Sequence, residues 1–210
     1  MFLASPITFP NLGIEIDPNP VAFTVFGKDI YWYGIIIAAG FLLAVFYMLA
    51  RAKDFGITQD DVLDMILWTV PIGVVCARLY YCIFYWELYA DDPISILYIW
   101  EGGLAIYGGI IGGFLFGGLA CKWRKVPVLP MFDLTAMGFL VGQCCGRWGN
   151  FFNQEAFGCN TTLPWGMYSE GTRSYLMGST VTVQNGVTID PNLPVHPTFL
   201  YESIWCLVGF

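Results

Sequence analysis

Long apolar runs separated by short charged loops restrict this chain to a bundle of membrane-spanning helices. A helix needs ~20 consecutive apolar residues to cross the hydrocarbon. Ile30 to Ala50 supplies such a run, closed by Arg51 and Lys53 and opened by an aromatic belt of Tyr31, Trp32 and Tyr33. Met65 to Tyr85 is the second, with Pro71 and Gly73 as expected distortions and Arg78 deep in apolar sequence. The stretch EGGLAIYGGIIGGFLFGG predicts a third helix whose glycines allow close contact with a neighbour, ending at Lys122, Arg124 and Lys125. A shorter span is expected from Met131 to Cys145, and a last apolar run opens near Thr198 and reaches Phe210. Composition agrees: 57% hydrophobic and 12% charged residues lie outside the range of an ordinary soluble domain.

The net charge of −7 comes from acids in the loops, which argues against nucleic-acid binding. Six of the seven cysteines sit in or beside apolar runs, where a thiol is a small hydrophobe; only Cys159 lies in polar sequence. With no CxxC pair and one histidine, the expectation is no metal and no cofactor. The N-terminus lacks a basic region, an unbroken apolar core and a small-residue cleavage site, so it is expected to stay on the protein as an irregular cap, residues 1–29. The helix bundle then covers residues 30–146, and residues 147–197 form a polar segment outside it. Residues 198–210 begin a further membrane helix. Lys and Arg cluster after the first and third spans, so the positive-inside rule puts those loops in the cytoplasm and the N-terminus outside. The polar segment then also lies outside. Within it, 164–190 has a strand-like texture, and Asn185–Gly186 between β-branched runs predicts a hairpin. The fold class is therefore an all-α polytopic membrane protein with a small, partly β head.

Chemistry concentrates in GRWGNFFNQEAFG, Gly146 to Gly158, expected directly after the fourth span. Arg147 offers a rigid fork of donors that matches a phosphate, and Asn150, Asn153 and Gln154 both donate and accept. Glu155 could hold the arginine in place. The bland alternative is an arginine snorkelling to headgroups above amides that only tie down a loop. Arg78 is a second intramembrane cation, with an ion pair to a carboxylate such as Glu155 as its structural alternative. Two arginines imply an anion, and in a membrane the abundant one is a phospholipid headgroup.

These residues closely resemble the signature of the prolipoprotein diacylglyceryl transferase family. IYWYGIIIAAGF resembles the family's first helix with its functional tyrosine at Tyr33, ARLYYCIFY its second, EGGLAIYGG its third, and HPTFLYES the motif after the head. The resemblance implies transfer of the diacylglyceryl group of phosphatidylglycerol to the lipobox cysteine thiol of a prolipoprotein, forming a thioether and releasing glycerol phosphate. Its setting is the bacterial inner membrane, and its partners are phosphatidylglycerol, prolipoprotein signal peptides and membrane lipids. It also implies that Arg147 engages the lipid phosphate, that Asn150, Glu155, Gly158 and Arg78 bind substrate with it, and that Arg147, Tyr33 and Tyr107 are catalytic. His196 is read as structural.

Two departures from the family pattern stand out. Many relatives carry a histidine, a candidate thiol base, where this chain has Tyr107, and a phenol is a poor base at neutral pH unless strongly perturbed. The family has seven membrane helices with a further functional arginine, whereas this chain ends in the fifth or sixth, so an inactive truncated transferase is one alternative. A non-enzymatic lipid- or anion-binding transport protein is the other. An intramembrane hydrolase fares worse, because no span offers a Ser/His pair.

Overall fold

A computed structural model describes residues 5–178, 183–184 and 187–210. Four helices are long and apolar enough to cross a membrane: α1 (Trp32–Arg51), α2 (Gln59–Phe84), α3 (Ile106–Arg124) and α4 (Val128–Asn153). Their outer faces carry exposed large apolar side chains such as Leu67, Ile83 and Phe114, as expected of helices solvated by lipid. The chain divides into two compact units, residues 47–136 and residues 1–46 with 137–210.

The first unit is dominated by the packing of α2 on α3. Thr58 and Asp61 form a reciprocal capping box that starts α2, satisfying two orphan backbone donors. Pro71 sits inside α2 without ending it. The third span begins later than expected: Gly102 and Gly103 have φ of +92° and +71° and belong to the preceding turn. Gly108 and Gly112 are the contact glycines. A Cβ on Gly108 would lie 2.5 Å from Tyr80 Cβ, and one on Gly112 would lie 2.5 Å from Cys76 Cβ, so the two backbones meet where no side chain fits. Met65, Cys121, Met131 and Leu134 fill the buried core at the other end of this unit.

Helix α4, whose residues from 137 on belong to the second unit, is almost twice the expected span and runs on through the signature to Asn153. The apolar signal stops at Cys145, but the helix continues because its last turns are packed on two sides. Gly149 takes the Tyr33 ring of α1, and Trp148 packs edge-on against Phe199 of α6 (Thr198–Gly209), with ring centroids 5.6 Å apart. Left-handed Gln154 and Ala156, at φ of +54° and +53°, then end it. The α1 contact is antiparallel and close, since a Cβ on Gly40 would lie 2.8 Å from Cys145 Cβ.

The N-terminal segment is not irregular. Strands β1 (Ile7–Phe9) and β2 (Ile14–Ile16) pair antiparallel, and β1 also pairs with β5 (Tyr168–Ser169), so the chain's start is the central strand of the head's sheet. Strands β3 (Val21–Val25) and β4 (Lys28–Tyr31) form a hairpin that leads directly into α1. Part of the stretch expected to be strand-like is a helix, α5 (Glu170–Gly178). Ser169 caps it by accepting a 3.1 Å bond from Thr172 N, and Glu170 pairs with Arg173 one turn on. Strands β6 (Val183–Gln184) and β7 (Val187–Thr188) pair as the expected hairpin, whose Asn185–Gly186 turn lies outside the described residues. Ile7, Phe151, Met167, Leu176, Val195 and Phe199 form the core beneath this head.

Candidate functional site

The helical continuation of α4 puts Gln143, Arg147 and Asn150 on successive turns of one face. Opposite lies α6, with Pro197 as its N-cap residue. Arg147 Nη2 donates to Glu202 Oε1 at 2.6 Å, and Gln143 Nε2 donates to the same oxygen. Arg147 Nη1 reaches Asn150 Oδ1 at 3.5 Å. The Arg147 and Glu202 side chains are 28% and 34% exposed, so the pair is partly desolvated. A guanidinium carries five N–H donors. With two of them engaged, three donors remain for an anion.

Glu155 does not hold Arg147 directly. Its Oε1 accepts from Asn150 Nδ2 at 3.0 Å and Asn153 Nδ2 at 3.1 Å, so two amides orient the carboxylate, and Asn150 links it to the arginine. The third amide goes elsewhere: Gln154 is buried, donates to Ser5 O at 2.6 Å and accepts from Ser5 Oγ at 2.9 Å, tying the helix end to the head. Tyr33 stands at the start of α1 with its ring on Gly149. Gly158 is a close-approach glycine. Its N–H donates to His196 O at 2.9 Å, and a Cβ there would lie 2.9 Å from His196 Cβ and 3.0 Å from Thr198 Cγ2. It thus seats the segment that starts α6. His196 Nδ1 lies 3.0 Å from Tyr201 Oη, which also accepts from Trp165 Nε1 at 2.7 Å.

Arg78, in the other unit, is 5% exposed and spends all five donors on backbone carbonyls. Nε reaches Ile96 at 2.8 Å, Nη1 reaches Gly102 and Gly103 at 2.7 and 3.0 Å, and Nη2 reaches Ser95 and Tyr98 at 2.8 and 3.5 Å. Its charge also lies 5.0 Å from the Tyr89 ring centroid. Burial pushes the Tyr89 phenol above its usual range, while Arg78 beside it pulls the other way. In this geometry Arg78 organises the loop between α2 and α3, and no donor remains for a ligand. Tyr107, near the start of α3, is 66% exposed with its ring tilted 6.5 Å from that of Tyr80.

Sequence reasoning brought Arg147, Asn150, Glu155, Tyr33 and Gly158 forward, and all five lie in one unit. It missed Glu202 and Gln143. The available signal was HPTFLYES itself, which carries the one carboxylate on an otherwise apolar α6.

The sequence profile of the prolipoprotein diacylglyceryl transferase family matches residues 20–210. A phosphatidylglycerol–prolipoprotein diacylglyceryl transferase of Limosilactobacillus reuteri (strain DSM 20016) is 42% identical over 202 residues, covering 95% of this chain and 70% of that protein. Proteins of the same description from Clostridium novyi (strain NT) and Bacillus cytotoxicus are 45% and 39% identical over 90% and 100% of this chain, and 70% and 71% of their own lengths.

Proposed function

The chain belongs to the prolipoprotein diacylglyceryl transferase family, and from that premise we propose that it moves the diacylglyceryl group of phosphatidylglycerol onto the lipobox cysteine thiol of a prolipoprotein. The observation that carries this reading to particular residues is Arg147, a partly exposed cation with three donors remaining at the end of a membrane helix. The lipid phosphate sits on those donors, and Asn150, oriented through Glu155, completes the cradle. Thiol sulfur attacks the glycerol carbon that carries the phosphate ester. An S–C bond forms, the C–O bond breaks, and glycerol phosphate leaves with the electron pair while the thiol proton passes to a base. Negative charge grows on the leaving phosphate, so Arg147 stabilises the transition state more than the ground state.

Tyr33 lies in the unit that holds Arg147, and we assign its hydroxyl to orienting the lipid headgroup. Tyr107 and Arg78 enter the proposal on the family resemblance. Tyr107 is a hydrogen-bond donor rather than a base, and Arg78 contributes by holding the 95–103 loop. Gly158 contributes by seating the start of α6.

The test is a transfer assay with the protein in phosphatidylglycerol vesicles and a lipobox peptide. The proposal expects the peptide to gain the mass of one diacylglyceryl group, with one glycerol phosphate released per peptide, and a Cys-to-Ser peptide to gain nothing. Anion or lipid movement across the vesicle with no peptide modification would instead establish a transporter.

A further inference from the structure

We propose that Glu202 is a positioning residue of this site, holding Arg147 in the orientation that the departing phosphate requires; the inference rests on the function proposed above. Arginine has about four rotatable bonds, and an unpaired guanidinium at a membrane edge samples many directions, including outward to lipid headgroups. Three contacts remove that freedom. Glu202 Oε1 takes Nη2 at 2.6 Å, Asn150 Oδ1 receives Nη1 at 3.5 Å, and Gln143 donates to the same Glu202 oxygen, fixing the carboxylate from the side. The direction of the remaining donors is therefore set by α6 as well as by the signature on α4.

The neighbouring Ser203 separates this charge contact from simple helix docking. Ser203 is 4% exposed, donates to Cys144 O at 3.0 Å and accepts from Trp148 Nε1 at 3.1 Å. With the Trp148–Phe199 contact it locks α6 against α4 whether or not Glu202 is charged. Glu202 is the more exposed of the two, at 34% for its side chain, and faces the arginine. Docking is thus assigned to Ser203 and orientation to Glu202. Glu202 touches no reacting atom in this scheme and acts through Arg147.

Glu202→Gln keeps the shape and an acceptor oxygen but removes the charge. Arg147 then remains a cation able to attract an anionic headgroup, so KM for phosphatidylglycerol does not rise. Alignment during C–O cleavage is lost, and kcat falls about ten- to a hundredfold. Glu202→Ala behaves alike. Ser203→Ala gives the opposite pattern, a lower melting temperature with kcat within about twofold of wild type.

The experiment measures kcat, KM and melting temperature for the four proteins in phosphatidylglycerol vesicles with a lipobox peptide, beside Arg147→Ala. A fall in kcat for Glu202→Gln without a fall in melting temperature supports the inference. It is overturned if Glu202→Gln keeps wild-type kcat, if KM rises while kcat holds, or if its loss of rate matches a loss of thermal stability. Should Arg147→Ala also keep wild-type rates, the reading of the site fails too. Should Arg147→Ala be inactive with Glu202→Gln normal, only the role of Glu202 fails.

Discussion

Arg78 and Arg147 are both arginines near the ends of apolar helices, and their donors go to different kinds of partner. Arg78 is saturated by the carbonyls of Ser95, Ile96, Tyr98, Gly102 and Gly103, whereas Arg147 meets two side chains with two of its five donors. Substitution by lysine should separate them. Lysine has three donors at a single nitrogen, so Arg78→Lys leaves some of the five carbonyls around this buried side chain without their donor. The expected result is a lower melting temperature and faster amide exchange across 93–103; unchanged exchange there would remove Arg78 from the loop. Tyr107 makes a second case, since chemistry rather than geometry decides its role. If its hydroxyl orients the headgroup, Tyr107→Phe costs about ten- to a hundredfold in rate, about 1 to 3 kcal/mol, with the pH profile unchanged. Complete loss of turnover with lipid binding intact would make it the base. At this scale the sequence singled out the candidate side chains, because ionisable groups in apolar runs are few. Their partners were hidden, since Glu202 lies 55 residues from Arg147 and only packing joins them.

Helices carry the same lesson over longer distances. Hydropathy located the spans because the hydrocarbon sets both their length and their composition. It lost α4 at Cys145, because GRWGNFFN offers two glycines and three polar side chains and no apolar period to continue. Contacts with Tyr33 and Phe199 keep those turns helical. Local texture misled at α5 as well, where the Ser169 cap and the Glu170–Arg173 pair decide for helix. The pairing of β1 with β5 was out of reach, since Ile7 and Ser169 are joined only by tertiary structure. Two predictions belong here. Gly112→Leu forces a side chain into Cys76 and should part α2 from α3, seen as a large loss of folded protein in detergent, while Gly113→Leu, with nothing within 4 Å, should be tolerated. Equal yields of the two would contradict a close α2–α3 contact at Gly112. Gly158→Ala pushes on His196 and Thr198 and should lower transfer through α6. If the rate is unchanged, Gly158 does not seat that helix as described.

For the whole molecule, we propose from the basic loops after the first and third spans that the signature and the head face away from the cytoplasm. In a variant freed of native cysteines, Thr188→Cys should be labelled by an impermeant maleimide on intact cells and Lys125→Cys only after lysis. The reverse pattern would place the site in the wrong leaflet for an exported precursor. The proposed transfer depends on Arg147 meeting the phosphate of the donor lipid, and the initial rate of diacylglyceryl transfer by Arg147→Lys measures that contact most directly. Lysine keeps the charge and loses the fork, so a bidentate phosphate contact predicts a loss of about a hundredfold in kcat. A rate for Arg147→Lys equal to that of the unaltered protein would contradict it.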